Sequence, residues 1–346
     1  MASYFRKEEI KMKKKKRKDA GWYALFTVPL LFIFATIVLI PFFIGVGYSF
    51  FSWDGLPLNP KVFVGFKNYV RLFSDSRFMT SAGHTVIFTV FSVLLINVIG
   101  LAFALIVTTK LKVRNAARAM LFMPYLIGGL ILGYIWKFIL GDGLSYVAEA
   151  LGSSSKLLSN WLLDPTMSRV ALIIVSTWQM AGYIMIIYIT GIMAIPDDVL
   201  EAASVDGAGF WQTLLKIKFP LLMPSFTICL FMTLSNCFKI FDVNLSLTGG
   251  GPNNATEMFA MNIYNEIFSQ SNYGYGQAKA IVFLLVIAAI TLAKLHFLES
   301  DMVTGQRQRL IQISYISEKF PLSDPMRFQH CISLDVSIFW KQVWSM

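Results

Sequence analysis

Charge is scarce in this sequence. Of its 346 residues, 14% are Asp, Glu, Lys or Arg, against about 25% in a soluble globular domain. That deficit, beside 56% hydrophobic residues, 30 Phe and 8 Trp, excludes an ordinary soluble domain and predicts an integral membrane protein. Cysteine is scarce too. Cys229, Cys237 and Cys331 are too few and too scattered for a disulfide framework or a zinc site. The first two lie inside an apolar run, where a thiol acts as a small hydrophobe. The three histidines, His84, His296 and His330, share no ligand spacing, so no metal is expected. There is no G-x-x-x-x-G-K-[ST] loop to cradle phosphates. Nor do lone serines and acids supply a triad or a carboxylate pair. No catalytic residue and no cofactor is expected on this chain.

What the sequence does have is long apolar runs. A helical crossing of a bilayer takes about 20 apolar residues. Six runs qualify, at 22–50, 85–109, 119–140, 170–195, 221–241 and 278–297. The expected fold is all-α, a polytopic membrane protein of six transmembrane helices. Pro29, Pro41, Pro124 and Pro224 lie in or near these runs, where neighbouring helices can satisfy the carbonyls that proline frees. The first run is too long for a cleavable signal and lacks a small-residue cleavage site, so it reads as the first span.

The net charge of +10 comes from basic residues that flank the runs. Membrane lipid, not nucleic acid, is the expected contact. Residues 1–21 carry nine Lys and Arg, most of them in "KMKKKKRKDA". Lys110, Lys112, Arg114, Arg118, Lys216 and Lys218 fall on the same side of a six-span layout. Lys61, Lys67, Arg71, Arg77 and Lys156 fall on the other. The positive-inside rule then puts the N-terminus, the 110–118 loop and the 196–220 segment in the cytoplasm, and an even span count puts the C-terminus there as well. Three regions result: a basic N-terminus over 1–21, a transmembrane domain over 22–298, and a tail over 299–346. The tail's "VSIFWKQVW" is apolar but too short to span. An interfacial or regulatory segment and an altered reading frame both remain open for it.

Between the fourth and fifth runs lies "EAASVDGAGFWQTLLKIKFP", residues 201–220. Asp197 and Asp198 suit the start of a helix, and Gly207 and Gly209 allow a sharp break. Residues 210–219 then form a second short helix with Phe210, Leu214 and Ile217 on its apolar side, stopped by Pro220. Such an elbow either covers the bundle or receives a partner. Its spacing of Glu201, Ala202, Ala203, Gly207, Ile217 and Pro220 resembles the EAA motif of ABC-importer permeases, with Phe219 where the family usually has leucine. "FVGFKNYVRLFSD", "MPYLIGGLILGYIWKFIL" and "LTGGGPNNATEMFAMNIYNEIF" resemble the carbohydrate-uptake branch, of the maltose-permease F-subunit type. The resemblance covers residues 22–298; the long tail departs from it.

The resemblance implies a MetI-like bundle with cytoplasmic coupling helices. Glu201, Ala202, Ala203, Asp206, Gly207, Ile217 and Pro220 would then dock on a cytoplasmic ABC ATPase dimer that hydrolyses ATP. The motif occurs once and no internal repeat is evident, so a second, homologous permease subunit is expected as a heterodimer partner. An extracellular or periplasmic solute-binding protein would meet the outer loops, "LTGGGPNN" among them. Read alone, that loop is a flexible turn.

Polar groups inside spans are costly and usually face the bundle interior. Gln179 and Tyr183 are four apart in the fourth run, and Thr233 and Asn236 three apart in the fifth, so each pair shares a helix face. At about 1.5 Å per residue both pairs lie roughly 18–24 Å from the cytoplasmic end. Hydroxyls, an amide and aromatic faces suit a sugar. In an ungapped alignment on the motif these positions resemble the sugar-contacting places of the maltose F-subunit, although the residue types differ. The same side chains equally suit hydrogen bonds between helices. Lys239 would either pair with Asp242 or meet an acidic solute. The leading reading is a permease subunit of an ATP-driven sugar importer. The alternatives are the same machinery for an acidic oligosaccharide or a glycerol-phosphate-type solute, and an ATP-independent secondary transporter. Against the last, neither an inverted repeat nor a buried acidic relay is evident.

Overall fold

The computed structural model describes residues 25–109, 113–152 and 160–292; the basic N-terminus and the tail lie outside the described residues. Helix α1 (Leu25–Tyr48) leads into a small hairpin, β1 (Phe51–Ser52) against β2 (Val62–Phe63), with Phe51 opposite Phe63. Helix α2 (Lys67–Phe73) comes next, then α3 (Ser76–Val107) and α4 (Arg114–Leu126). Helix α5 (Gly129–Ala150) and α6 (Pro165–Met193) are the next long ones. After α6 come α7 (Asp197–Val205), α8 (Phe210–Leu221) and α9 (Met223–Phe238). Short α10 (Asp242–Leu247) and α11 (Phe259–Tyr264, prolonged by a wider turn over Asn265–Ser269) precede α12 (Tyr273–Leu292).

Among the described residues five helices, α1, α3, α5, α6 and α12, are long and apolar enough to cross a membrane, and the bent pair α8–α9 makes a sixth when counted as one span. The predicted runs recover this set with three corrections. First, 119–140 is not one helix. Helix α4 ends at Leu126, Ile127 is extended (φ −78°, ψ 125°), and α5 starts at Gly129. Second, α3 begins at Ser76, ahead of residue 85. The Asp75 carboxylate caps it by accepting from the Phe78 amide, and the hydroxyls of Ser81 and Thr85 bond back to carbonyls four residues earlier. The polar first turns are thereby satisfied. Third, Pro220 does not stop the second elbow helix. The backbone widens over Thr213–Lys218, and Pro220 sits in the first turn of the segment Phe219–Leu221, where its missing amide is not needed. The chain bends by 71° only between α8 and α9.

The core lies between α3 and α6, which run side by side. Ile96, Ala104, Leu172, Val175, Ile184 and Met185 are buried there, with Cys229 of α9. Helix α4 rests on α6 at Gly182, where any β-carbon would collide with the Leu121 carbonyl. This close approach needs glycine, as at small-residue contacts in membrane bundles. By contrast, α1 keeps none of its most apolar stretch buried. Its surface is left for lipid or another subunit.

Candidate functional site

The elbow is built as its sequence dictates. Helix α7 starts at Asp197, with Asp197 and Asp198 in its first turn, where negative charge suits the helix dipole. It ends in a Schellman motif. The Gly207 amide bonds to the Ser204 carbonyl (3.2 Å) and the Ala208 amide to the Ala203 carbonyl (3.0 Å), while Gly207 takes φ +73°. The Gln212 side chain then accepts from the Gly209 amide at the start of α8. Glu201, Asp206, Gly207 and Pro220 are exposed, Ala203 is buried and Ile217 half-buried; Ala202 lies within α7. Around the charged groups Val205, Phe210, Trp211 and Leu215 are exposed. The result is a projecting corner with an apolar surface and a carboxylate.

The four polar positions in the spans have different surroundings. The Gln179 amide donates to the Ile127 carbonyl (3.1 Å), the group that the break between α4 and α5 leaves free. The Tyr183 ring stacks on Tyr125 (centroids 4.4 Å apart, 15° between planes), and its hydroxyl meets the Met232 sulfur (3.8 Å). Thr233 is fully buried. It donates to the Cys229 carbonyl (2.8 Å) and accepts from the Asn97 amide (3.0 Å), while Asn97 also accepts from the Tyr188 hydroxyl (2.9 Å). This triad ties α3, α6 and α9 together. Asn236 is exposed, and its amide donates to the Met232 carbonyl (2.9 Å). Asn97 and Tyr188 were not singled out from the sequence, although an amide inside an apolar run was signal enough for Asn97. Lys239 is exposed and does not pair with Asp242. Helix α9 ends at Phe238, so the two are not on one helical face.

At the end of the bundle where α3 and α12 begin lies a buried ionic cluster that was not singled out from the sequence. The Lys279 side chain is fully buried. Its ammonium donates to Glu266 Oε2 (2.7 Å) and Asn262 Oδ1 (3.0 Å) and pairs with Asp75 Oδ2 (2.9 Å). The Tyr275 hydroxyl donates to the same Asp75 oxygen (2.8 Å). Beside it Arg77 grips Glu257 with two bonds of 2.7 Å, and the Asn265 amide also donates to Glu257 (2.9 Å). Burial pushes the Asp75 carboxyl up. The Lys279 ammonium, the Phe78 amide and the Tyr275 hydroxyl together outweigh it and hold the carboxyl at about 2. A depressed carboxylate stabilises the fold fully above its ordinary value of 3.8 and loses that contribution as pH falls through about 2. We expect the gap in thermal midpoint between wild type and Asp75→Asn to stay constant from about pH 7 to about pH 5, then close below about pH 4. A gap that already shrank near neutral pH would contradict this.

The "LTGGGPNN" loop is a fastened turn, not a flexible one. Buried Asn244 donates to the Thr256 carbonyl (2.7 Å) and accepts from the Thr248 hydroxyl (2.7 Å). The hydroxyls of Thr248 and Thr256 bond to each other (2.7 Å). Gly249 (φ +60°) and Gly250 (φ +86°) supply the left-handed backbone between them. Among the described residues no three His, Cys, Asp or Glu side chains converge in a way that could hold a metal ion.

Comparison with known proteins places this geometry. A family model described as the binding-protein-dependent transport system inner membrane component matches residues 96–299. The probable starch degradation products transport system permease protein AmyD of Thermoanaerobacterium thermosulfurigenes is 44% identical over 286 residues, covering 83% of this chain and 97% of that protein. The multiple sugar-binding transport system permease protein MsmF of Streptococcus mutans is 34% identical over 276 residues, covering 80% and 93%. In three dimensions the chain resembles part of a bacterial ABC transporter involved in the import of the acidic polysaccharide alginate. There the TM-score is 0.70, with 22% identity, 83% of this chain and 98% of that chain covered; at that identity the likeness bears on the fold alone. With more than half its length matched and relatives aligned almost end to end, the chain belongs to the family of inner membrane components of binding-protein-dependent transport systems.

Proposed function

We propose that this chain is one permease subunit of an ATP-driven importer of sugars or oligosaccharides. The observation that carries the proposal is the elbow, an exposed carboxylate and apolar corner held at a fixed angle by Gly207 between two spans. A partner that grips such a corner can move the helices on either side of it. In this reading the elbow faces the cytoplasm and couples to a separate ATPase dimer through Glu201, Ala202, Ala203, Asp206, Gly207, Ile217 and Pro220. A second permease supplies the other wall of the path, and a solute-binding protein docks at the opposite end. ATP and the docked binding protein favour the outward-facing arrangement; hydrolysis resets it. The sugar assignment draws on what the relatives are named for. The test is co-purification with the ATPase, then solute-stimulated ATP hydrolysis. Solute moving down its gradient through the chain alone, without any ATPase, would overturn the reading.

Gln179, Tyr183 and Asn236 are proposed to contact solute, with Thr233 fixing α9 behind them. Gln179→Ala, Tyr183→Phe, Thr233→Val and Asn236→Leu are each expected to weaken transport by about 0.5–1.5 kcal/mol, more where a partner is stranded. Gln179→Ala strands the Ile127 carbonyl and Thr233→Val the Asn97 amide, so these two should lose most. Unchanged uptake kinetics in all four would dispose of the path. An acidic oligosaccharide or glycerol-phosphate-type solute is the second reading, because Lys239 is exposed and forms no ion pair with Asp242. The sn-glycerol-3-phosphate transport system permease protein UgpA of Agrobacterium fabrum is a relative at 30% identity over 247 residues. A loss confined to Lys239→Gln, with neutral sugars unaffected, would select that reading.

A further inference from the structure

Residues 49–75 join two membrane-crossing helices, so both their ends are tied to one membrane surface. Within them α2 has three distinct faces. Asn68 and Leu72 are buried, and the Asn68 amide donates to the carbonyls of Ser49 (2.8 Å) and Phe51 (3.0 Å). These bonds fix how the helix is rotated. Phe66, Val70 and Phe73 recur at i, i+4 and i+7 and form one stripe. They are 71%, 67% and 72% exposed. Lys67 and Arg71 lie on the third side, the Arg71 guanidinium over the Tyr275 ring at 4.3 Å.

The neighbouring hairpin continues the pattern. Val62 and Phe63 are exposed. Phe50, just past α1, packs edge-on against Phe66 (centroids 5.3 Å apart). The Lys61 ammonium lies over the rings of Tyr48 and Trp53 (4.6 and 4.5 Å). Aromatic rings interleaved with Lys and Arg at the end of a span make the composition of a membrane–water boundary.

We propose that residues 61–73 form an anchor lying in the headgroup layer of the leaflet where α1 ends and α3 begins. Phe66, Val70 and Phe73 enter the acyl boundary, and Lys61 and Lys67 reach lipid phosphates. Two observations favour lipid over a protein occupant. The depth of the segment is set by Tyr48 and Ser76, the adjoining span ends. The basic side chains border the apolar stripe, as they do in helices that lie in an interface. The anchor would fix the depth of Asp75 and Arg77, two residues and about one turn past its end, and with them the ionic cluster.

Site-directed spin labelling tests this in the full chain with its co-purified subunits. The vesicles are phosphatidylethanolamine with phosphatidylglycerol. Cys229 and Cys237 are buried, so a Cys331→Ser background carrying Phe66→Cys, Val70→Cys, Phe73→Cys or Lys67→Cys gives single labels, with the unsubstituted background as the control. At 66, 70 and 73 oxygen, which partitions into lipid, is expected to relax the label more than a water-soluble nickel chelate does. At 67 the order should reverse. Greater relaxation by nickel at all four positions would mean that the stripe faces water, and exclusion of both reagents from 66, 70 and 73 would mean that protein covers it. Either result overturns the proposal.

Discussion

A Lys279→Met variant is expected to lose about 3–5 kcal/mol of folding stability, the usual cost of removing one partner from a buried ion pair. The ammonium is the shared partner of Asp75 and Glu266. Without it two carboxylates face each other with little water to solvate them. One must take up a proton or the elements that carry them must separate. Those elements are α3, α11 and α12, so the loss should be global and not confined to a loop. Thermal or denaturant unfolding of the detergent-solubilised chain reads it directly. Glu266→Gln should cost less, because Lys279 keeps Asp75. A double variant, Lys279→Met with Glu266→Gln, should recover part of the single-variant loss. An unchanged midpoint in Lys279→Met would show that the cluster contributes nothing.

Gly207→Val should leave the bundle folded and cut the link between ATP hydrolysis and transport. A β-branched residue at φ +73° is strained by about 1–3 kcal/mol. No atom lies near the site where its β-carbon would go, so the cost is backbone strain alone and is relieved by re-angling α7 against α8. Glu201→Ala tests the same corner from the side of charge. The carboxylate is exposed in the isolated chain. If a basic group of the ATPase buries it, its removal costs several kcal/mol of association. Both variants should insert normally, then assemble weakly or hydrolyse ATP without moving solute. Crosslinking from position 207 and transport per ATP in vesicles are the measurements. Wild-type transport with normal ATPase association in both would reduce the elbow to a cover for the bundle.

The spans were legible because a bilayer imposes one simple demand, a long apolar run, and the sequence meets it six times. The break at Ile127 was not legible. A helix interrupted inside protein stays apolar on both sides of the interruption, and the group that makes it tolerable, Gln179, lies 52 residues away. The elbow could be read almost residue by residue, since caps and left-handed glycines act locally; Pro220 misled because a wider turn absorbs it. The polar positions in α6 and α9 were found by depth, but their partners were not. Thr233 of α9 is bonded to Asn97 of α3, which Tyr188 of α6 holds in turn, and chain-local reasoning has no access to which helices face each other. Lys279 went unremarked among the apolar residues of the last span for the same reason. Its two acids come from 204 and 13 residues earlier in the chain (279 − 75 and 279 − 266).

Three side chains lace the turn between Asn244 and Thr256 before anything lands on it. Freezing a single residue's backbone costs about 1–2 kcal/mol of entropy. A partner meeting a loose loop of this length would surrender much of its contact energy to that freezing. Here the freezing is completed during folding. For a partner that docks on this turn, as proposed for the solute-binding protein, capture would be governed by diffusion and orientation, with no slow ordering step. The strength of such a contact would be set by how long the partner stays.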